Sequence, residues 1–183
     1  SWRAADSPIL SDCIYDGETY DARLQQPGWS TPGFDDSKWR PVSEAAQPVE
    51  TLVCQAKETI QPIEWLRPVA ITEPEAGVYV YDFGQNLTGW CRLTYSGKAG
   101  QTVTLRHAEV LNPDGTIYTD NLRSAQATDR YTLRGGPAEV WEPRFTYHGF
   151  RYVEVTGLGD KAYAGYLAAR MICSAAPQIG HFE

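Results

Sequence analysis

The sequence predicts an all-β sandwich. Roughly eight to ten short runs of β-branched and aromatic residues follow one another closely, separated by turns rich in Gly, Pro, Asn and Asp. The sequence carries no long amphipathic helical pattern. With 183 residues, a hydrophobic fraction of 42% and 11 Tyr beside 6 Trp, the chain is long enough to bury one substantial core. These observations together favour one cooperative β domain.

The strongest strand signal is the aromatic and β-branched run from Val78 to Tyr95. Gly84, Gln85 and Asn86 interrupt it, and glycine and asparagine commonly bound strands. We therefore expect two strands joined by a polar corner, over 78–83 and 87–95.

The chain before Gly77 has weaker signals, with a turn at Asp16-Gly17. The run 60–70 has strand character, but Pro62 and Pro68 cannot donate ladder hydrogen bonds, so we expect it at a sheet edge. Two shorter elements are also expected: a strand over 51–55, and a helical turn capped by Asp35, Asp36 or Ser37 that carries Trp39 into the core.

Strand signals become regular after Gly77. Val103, Leu105 and His107 alternate along one face of a predicted strand. Gly149 interrupts a later run and predicts a bulge or a close backbone approach. The last run fits a strand, although its alanines also permit a helix. The strands expected in this half cover 102–111, 129–133, 140–141, 145–155 and 163–173.

Charge and composition limit the partners. A net charge of -7 without a basic stripe argues against nucleic acid. No signal peptide and no apolar run of membrane-spanning length is evident, so no membrane partner is expected. The negative balance suits a neutral sugar or a divalent cation. A bacterial cytoplasmic location and a secreted one both stay open.

The four cysteines are Cys13, Cys54, Cys91 and Cys173, and their spacings match no metal-binding or redox motif. Cys91 and Cys173 lie in apolar strand-like runs. We therefore expect free, buried thiols that pack as small hydrophobes. Disulfide bonds stay open for an exported protein.

The most site-like feature is a polar loop that contains Asp120, Asn121 and Arg123. Its oxygens suit Ca²⁺ or sugar hydroxyls, and Arg123 can donate to a hydroxyl. Asn86 joins this set if both loops share one rim of the sandwich. Alternatively, these side chains tie the loops to each other or to a neighbouring domain. Trp90 is the candidate platform for a pyranose ring, and the other tryptophans considered for stacking are Trp29, Trp39, Trp65 and Trp141.

A second oxygen-rich cluster comprises Asp16, Glu18 and Asp21, around a turn where a structural cation could bind. Ca²⁺ is accordingly the one candidate cofactor. No catalytic set is evident, because no two acidic residues are paired by spacing and no Ser–His–Asp order is present.

Other polar residues have structural interpretations. Asp82 is expected to accept hydrogen bonds from turn amides, and Glu109 to pair with Arg106. His107 shares its face with apolar residues and is expected to be a core histidine, whereas the role of His148 stays open.

Several runs resemble, in the same order, segments of bacterial α-L-rhamnosidases. The first is I-Y-D-G-E-T-Y-D-A-R, followed by P-G-W-S-T-P-G-F-D-D-S-K-W, which resembles the opening of the second β-sandwich of those enzymes. The rest of that sandwich is matched by D-F-G-Q-N-L-T-G-W, L-R-H-A-E-V-L, T-D-N-L-R and F-T-Y-H-G-F-R-Y-V-E-V. The closing G-H-F-E resembles the linker that enters their catalytic domain. The motif order makes this resemblance specific over nearly the whole chain.

The resemblance implies a jelly-roll β-sandwich of the galactose-binding-domain-like type over residues 1–174, with an exit linker over 175–183. In this family such modules precede an (α/α) toroid, which carries the catalytic carboxylates and hydrolyses terminal α-L-rhamnosides with inversion. The chain is therefore expected to be a non-catalytic accessory module whose partner is the toroid. The alternative is a free-standing lectin-like module that binds rhamnose or a related sugar, with or without Ca²⁺.

Overall fold

The computed structural model describes residues 2–44, 53–55, 58–176 and 179–181. Residues 51 and 52 of the strand predicted over 51–55, and residues 177, 178, 182 and 183 of the predicted linker, lie outside this part. The described elements are β1 (Arg3–Ala4), β2 (Ile9–Cys13), β3 (Gly17–Asp21), β4 (Arg40–Pro41), β5 (Ile60–Leu66), β6 (Ala70–Glu75), β7 (Val78–Tyr95), β8 (Thr102–Ala108), β9 (Thr128–Thr132), β10 (Glu139–Trp141), β11 (His148–Thr156) and β12 (Leu167–Ser174), with 3₁₀ turns at Ala22–Leu24, Asp120–Leu122 and Ala164–Tyr166.

Ten of these strands form one curled sheet, which confirms the predicted all-β class. The strand order is β2-β3-β9-β8-β11-β7-β12-β5, and β6 and β10 pair with β7 as well. The β3–β9 pair is parallel, whereas the others in this sheet are antiparallel. Strands β1 and β4 form a separate short ribbon.

β7 organises the sheet, and the prediction of two strands with a corner between them is wrong. A single strand of 18 residues runs through the bend. Gly84 has a φ of 80° and its amide donates to Asp82 Oδ1 at 2.7 Å, so the strand bends without ending. Tyr81, Phe83 and Leu87 are all buried, so the same face of the strand points inward before and after the bend, although Gln85 within the bend is exposed.

The two halves of β7 have different neighbours, and this curls the sheet around its core. β11 pairs with both halves, whereas β6 pairs with the first half alone and β10 and β12 pair with the second. Strands from both ends of the curl meet inside: Tyr131 of β9 stacks on Trp141 of β10 with ring centroids 5.1 Å apart. Tyr20 of β3 stacks on Tyr131 at 5.6 Å. This aromatic trio closes the core between the ends of the sheet.

Several strand predictions are confirmed, and others need correction. β5 lies at a sheet edge as its prolines predicted. β6 was missed because Pro74 interrupts its alternation, and the register with β7 shifts at that point. The irregularity predicted at Gly149 occurs two residues later, at Arg151, where the β11–β7 register shifts. Of the run 163–173, residues 164–166 form a 3₁₀ turn and the strand β12 begins at Leu167, so the helical alternative is wrong for most of the run.

Smaller features differ from expectation in burial. Trp39 follows a turn in which Asp35 Oδ1 accepts the Ser37 amide at 3.0 Å, but the ring is only half-buried. Cys91 is fully buried as predicted, whereas Cys54 and Cys173 are exposed. Cys173 is exposed because the end of β12 pairs with the uncovered edge strand β5. Among the described residues, no helix has the length and apolar character to cross a membrane.

Candidate functional site

The loops predicted to form a sugar site do meet at one rim of the sheet. Asn86 lies in the bend of β7, and its amide donates to Glu109 Oε1 at 2.9 Å. Asn121 donates to Glu109 Oε2 at 3.3 Å from the opposite loop. Glu109 therefore bridges the two loops rather than pairing with Arg106, whose guanidinium donates to Thr119. This is the loop-tying arrangement that the sequence left open.

Asp120 and Arg123 flank Asn121 and are exposed. Arg123 has a φ of 55° and Ala127 a φ of 44°, in the left-handed region that side chains rarely occupy. Such strained backbone conformations persist only where contacts with the surrounding structure fix them. Ala127 is held on both sides, because its amide donates to the Tyr15 carbonyl at 2.9 Å and its carbonyl accepts the His107 amide at 2.9 Å. Sugar binding by Asp120, Asn121 and Arg123 stays a prediction.

Trp90 is half-buried, and its indole nitrogen donates to Glu142 Oε2 at 2.7 Å. A neighbouring tryptophan, Trp65, is contacted by two guanidinium groups, with Arg92 4.1 Å and Arg170 4.4 Å from its ring centroid. These cation–π contacts occupy the ring that a sugar would otherwise stack on. Stacking of a pyranose on Trp90 stays a prediction.

The three carboxylates predicted to bind calcium have three different partners. Asp21 forms a two-pronged ion pair with Arg23, in which Nη2 and Oδ2 are 2.6 Å apart, and these hydrogen bonds lower the pKa of Asp21. Glu18 is fully buried and accepts the Arg144 amide at 2.9 Å. Asp16 accepts a backbone amide from the loop before β9 at 3.2 Å. The calcium site stays a prediction that these contacts do not favour.

A cleft of about 740 Å³ lies between the N-terminal segment and the turns after β3. Trp29, Trp39 and Phe145 line it, together with Gln25 and Arg134. Trp29 is 64% exposed, so its ring is open to a ligand. Arg134 donates to Gln25 Oε1 at 3.3 Å, which places polar groups beside these rings.

A buried polar cluster, absent from the sequence predictions, lies inside the curl beneath the strained loop. It comprises His107 of β8, Asp129 of β9 and His148 of β11, each less than 5% exposed. His148 Nε2 is 3.2 Å from Asp129 Oδ1, and His107 Nε2 is 3.9 Å from Asp129 Oδ2. The two imidazoles stack with centroids 4.1 Å apart. These are the described residues whose donor atoms lie close enough to share a metal ion.

The electrostatics of the cluster follow from its burial. Burial, with the neighbouring His148 contributing, lowers the pKa of His107 to about 3, so this ring is neutral at neutral pH. Burial alone would raise the pKa of Asp129, but the hydrogen bond from His148, the attraction of the two neighbouring imidazoles and the hydrogen bond from the Glu18 amide together outweigh it and lower the pKa. Burial raises the pKa of Glu18.

Sequence reasoning found one member of this cluster and missed its partners. Burial of His107 was predicted from its inward alternation and is confirmed. The missed signal was Asp129, because the alternation of β9 places it on the same inward face as the buried Tyr131. A charged residue at an inward strand position requires a partner.

Two family models match the chain. The α-L-rhamnosidase N-terminal domain matches residues 1–64, and the bacterial α-L-rhamnosidase concanavalin-like domain matches residues 72–175. The second match covers more than half of the chain. The chain belongs to the bacterial α-L-rhamnosidase family. Strands from both matched ranges pair in one sheet, β3 with β9 and β5 with β12.

Individual α-L-rhamnosidases also match the chain in sequence. The α-L-rhamnosidase of Streptomyces avermitilis is 53% identical over 183 residues, which are 100% of this chain and 18% of that protein. One from Formosa agariphila is 42% identical over 160 residues, 86% of this chain and 17% of that protein. The chain spans less than a fifth of the length of these two relatives.

Solved α-L-rhamnosidase structures contain the same fold. The crystal structure of the Streptomyces avermitilis enzyme complexed with L-rhamnose matches with a TM-score of 0.93 at 54% identity, covering 96% of this chain and 17% of that one. The α-L-rhamnosidase from Dictyoglumus thermophilum matches with a TM-score of 0.91 at 38% identity, covering 95% and 20%.

Proposed function

We propose that this β-sandwich is a non-catalytic accessory module of an α-L-rhamnosidase, in which a separate domain hydrolyses terminal α-L-rhamnosides. The observation that carries the proposal is the match of the whole chain, at 53% identity, to 18% of an α-L-rhamnosidase. A segment of that size within a much longer enzyme is the size of one domain.

The acidic residues of the chain support a non-catalytic role. An inverting glycosidase needs two carboxyl groups about 6.5–9.5 Å apart, facing each other across the sugar. Here Asp82 is paired with Arg151, Glu142 accepts from Trp90, and Glu139 accepts from Tyr131. Glu109 is held by two asparagine amides. These carboxylates have structural partners of their own.

The edge strand β5 is the surface through which we propose that the module braces the catalytic domain. Six of its seven residues are exposed, and the seventh, Leu66, packs against the core. Ile60 is 63% and Ile63 48% exposed. Ile60 lies opposite Ser174, at the end of the last strand. An exposed apolar edge strand is suited to docking, because unpaired strand edges and exposed apolar patches tend to associate with other protein surfaces.

The test is the double substitution Ile60→Glu and Ile63→Glu in a full-length enzyme containing this module. Charge in a buried interface is unfavourable, so we expect a lower temperature of thermal inactivation for rhamnoside hydrolysis. The same change in this chain alone should alter the free energy of unfolding by no more than about 0.5 kcal/mol. Val110→Glu, at a residue 49% exposed outside β5, is the matched control. An unchanged inactivation temperature would refute the bracing role.

Carbohydrate binding is the second candidate, and the cleft beside Trp29 is the observation that favours it. An exposed aromatic ring flanked by hydrogen-bonding side chains is suited to a sugar. Titration calorimetry of L-rhamnose into the chain, with Ca²⁺ and then with EDTA, tests it. Heat lost in EDTA indicates the loop of Asp120 and Asn121, and heat that persists in EDTA but disappears in Trp29→Ala indicates the cleft. No heat in either buffer removes this candidate.

A further inference from the structure

The buried cluster of His107, Asp129 and His148 contains two acceptor atoms, one on His107 and one on Asp129, that face each other without a hydrogen atom between them. The Nδ1 atom of His107 is 3.0 Å from the carbonyl oxygen of Ala127. A carbonyl can only accept, so Nδ1 carries the proton and Nε2 of the neutral ring presents a lone pair. That lone pair faces the Oδ2 atom of Asp129, another acceptor, at 3.9 Å.

Both of these atoms are without a partner in a fully buried position. Within the described part of the chain, His107 Nε2 and Asp129 Oδ2 have no hydrogen-bond partner, and neither does Oε1 of the adjacent Glu18. Leaving buried polar atoms unpaired is unfavourable, because they lose their hydrogen bonds to water and gain none in the protein. His107 Nε2 and Asp129 Oδ2 are two such acceptors that face each other, and they call for a positive charge between them.

We propose that His107, Asp129 and His148 bind a divalent transition-metal ion, with Zn²⁺ as the best-fitting occupant. Their donor atoms all lie within 4.8 Å of one another. Zinc bonds of about 2.0–2.2 Å place neighbouring ligand atoms of a tetrahedral site roughly 3.3 Å apart. The separations of 3.2 and 3.9 Å between the histidine nitrogens and Asp129 are close to that geometry.

The surroundings have the features of a metal site beyond the ligands. Metal-bound histidines usually donate their second nitrogen to a carbonyl, as His107 does to Ala127. Asp129 is oriented by the Glu18 amide, which donates to Oδ1 at 2.9 Å. Two imidazoles and one carboxylate form a ligand set that suits zinc and related ions rather than Ca²⁺, which prefers oxygen.

The ion would act as a structural staple. Its ligands come from β8, β9 and β11, which are adjacent in the sheet. Ala127, whose carbonyl accepts the hydrogen bond from His107 Nδ1, lies in the strained segment that leads into β9. An ion bound only in the folded state would therefore stabilise this rim of the sheet in proportion to its concentration.

The test is metal binding by the EDTA-treated, dialysed chain. We expect elemental mass spectrometry to find one Zn²⁺ ion per chain. We also expect the thermal unfolding midpoint to rise with Zn²⁺ concentration. Co²⁺ in the same site should give the visible absorption of a tetrahedral complex. A buried water would instead satisfy the same atoms with no metal bound. Absence of stoichiometric binding, with an unchanged midpoint, overturns the proposal.

Variants assign the site. His148→Gln should weaken Zn²⁺ binding by about 10–100-fold or more, whereas His181→Gln, outside the cluster, should not. The exposed thiols of Cys54 and Cys173 are replaced by serine in all these proteins, because they could bind zinc themselves. If His148→Gln fails to fold, binding that persists in the serine and His181→Gln background supports the cluster as the site, because the exposed thiols and the histidine outside the cluster are then absent. Loss of binding in that background overturns it.

Discussion

Phe150 is the large side chain on which the polar and apolar parts of the core meet. It is fully buried, lies edge-on to Phe83 with centroids 5.8 Å apart, and contacts the His107 ring at 4.8 Å. Deleting such a ring leaves a cavity that a packed core cannot refill completely.

Phe150→Ala should therefore lower the free energy of unfolding by about 3–5 kcal/mol. Phe145→Ala, at a position 64% exposed on the same segment of chain, should change it by no more than roughly 0.5 kcal/mol. Urea titration followed by tryptophan fluorescence measures both. Equal effects of the two substitutions would mean that the core is placed wrongly.

The pH dependence of stability is expected to involve Asp82. Two hydrogen bonds from Arg151, at 2.8 and 2.9 Å, and one from the Gly84 amide hold the carboxylate, and the Arg151 bonds are the main reason that the pKa of Asp82 lies below its ordinary value of 3.8. A lowered pKa contributes stability that is present above pH 3.8 and is lost as the pH falls below it.

Asp82→Asn should accordingly lower the thermal midpoint at pH 7 by roughly 2–4 °C, the shift that corresponds to about 1 kcal/mol in a domain of this size. The difference from the unsubstituted chain should shrink as the pH falls below 3.8. Calorimetric scans from pH 7 to pH 3 follow this. A difference that stays constant over the range would show that the charge of Asp82 is not its cause.

At the level of elements, the pairing of β7 with β12 depends on Gly89. A Cβ atom at this position would collide with the carbonyl oxygen of Arg170 on β12. Gly149, on β11 beside β7, has as its nearest such contact the Glu109 side chain at 3.8 Å. The two glycines thus differ in available space although both lie in paired strands.

Gly89→Ala should separate the two strands locally and lower the free energy of unfolding by about 1–3 kcal/mol. Hydrogen exchange at the amides of β12 should become faster. Gly149→Ala is the control, and it should leave exchange in β12 unchanged. Comparable protection of β12 in both variants would contradict the proposed β7–β12 contact.

Elements with an alternating pattern could be predicted from the sequence, and those without it could not. β8 could be predicted from the alternation of Val103, Leu105 and His107, because successive side chains of a strand point to opposite faces. β6 was missed because Pro74 interrupts its pairing. The bend of β7 was mistaken for a corner, since Gly and Asn commonly mark turns. The pairing of both halves of β7 with the same strand, β11, shows that the chain bends there without ending the strand.

At the scale of the whole molecule, the meeting of the Asn86 and Asn121 loops could be anticipated, whereas the buried cluster could not. The two asparagines were expected to share a rim, and Glu109 joins them there. Asp129 accepts a hydrogen bond from the Glu18 amide, which is 111 residues away in the sequence, and contacts His148, which is 19 residues away. Contacts of that range depend on how the sheet curls, which local patterns do not encode.

The family membership and the exposed strand β5 support the proposal of a β-sandwich that braces an α-L-rhamnosidase without performing its chemistry. The buried cluster fits this account, because its side chains lie inside the fold where a polymeric or aryl rhamnoside cannot reach them. Stability and docking, rather than turnover, are then the properties that substitutions in this chain should change.

The most direct measurement is hydrolysis of an aryl α-L-rhamnoside by this chain alone, at high protein concentration and over a broad pH range. The account predicts release of the aryl group at the rate seen in buffer. Saturable turnover that is abolished by a single carboxylate substitution, such as Asp120→Asn or Glu109→Gln, would contradict it and place a complete catalytic site within this module.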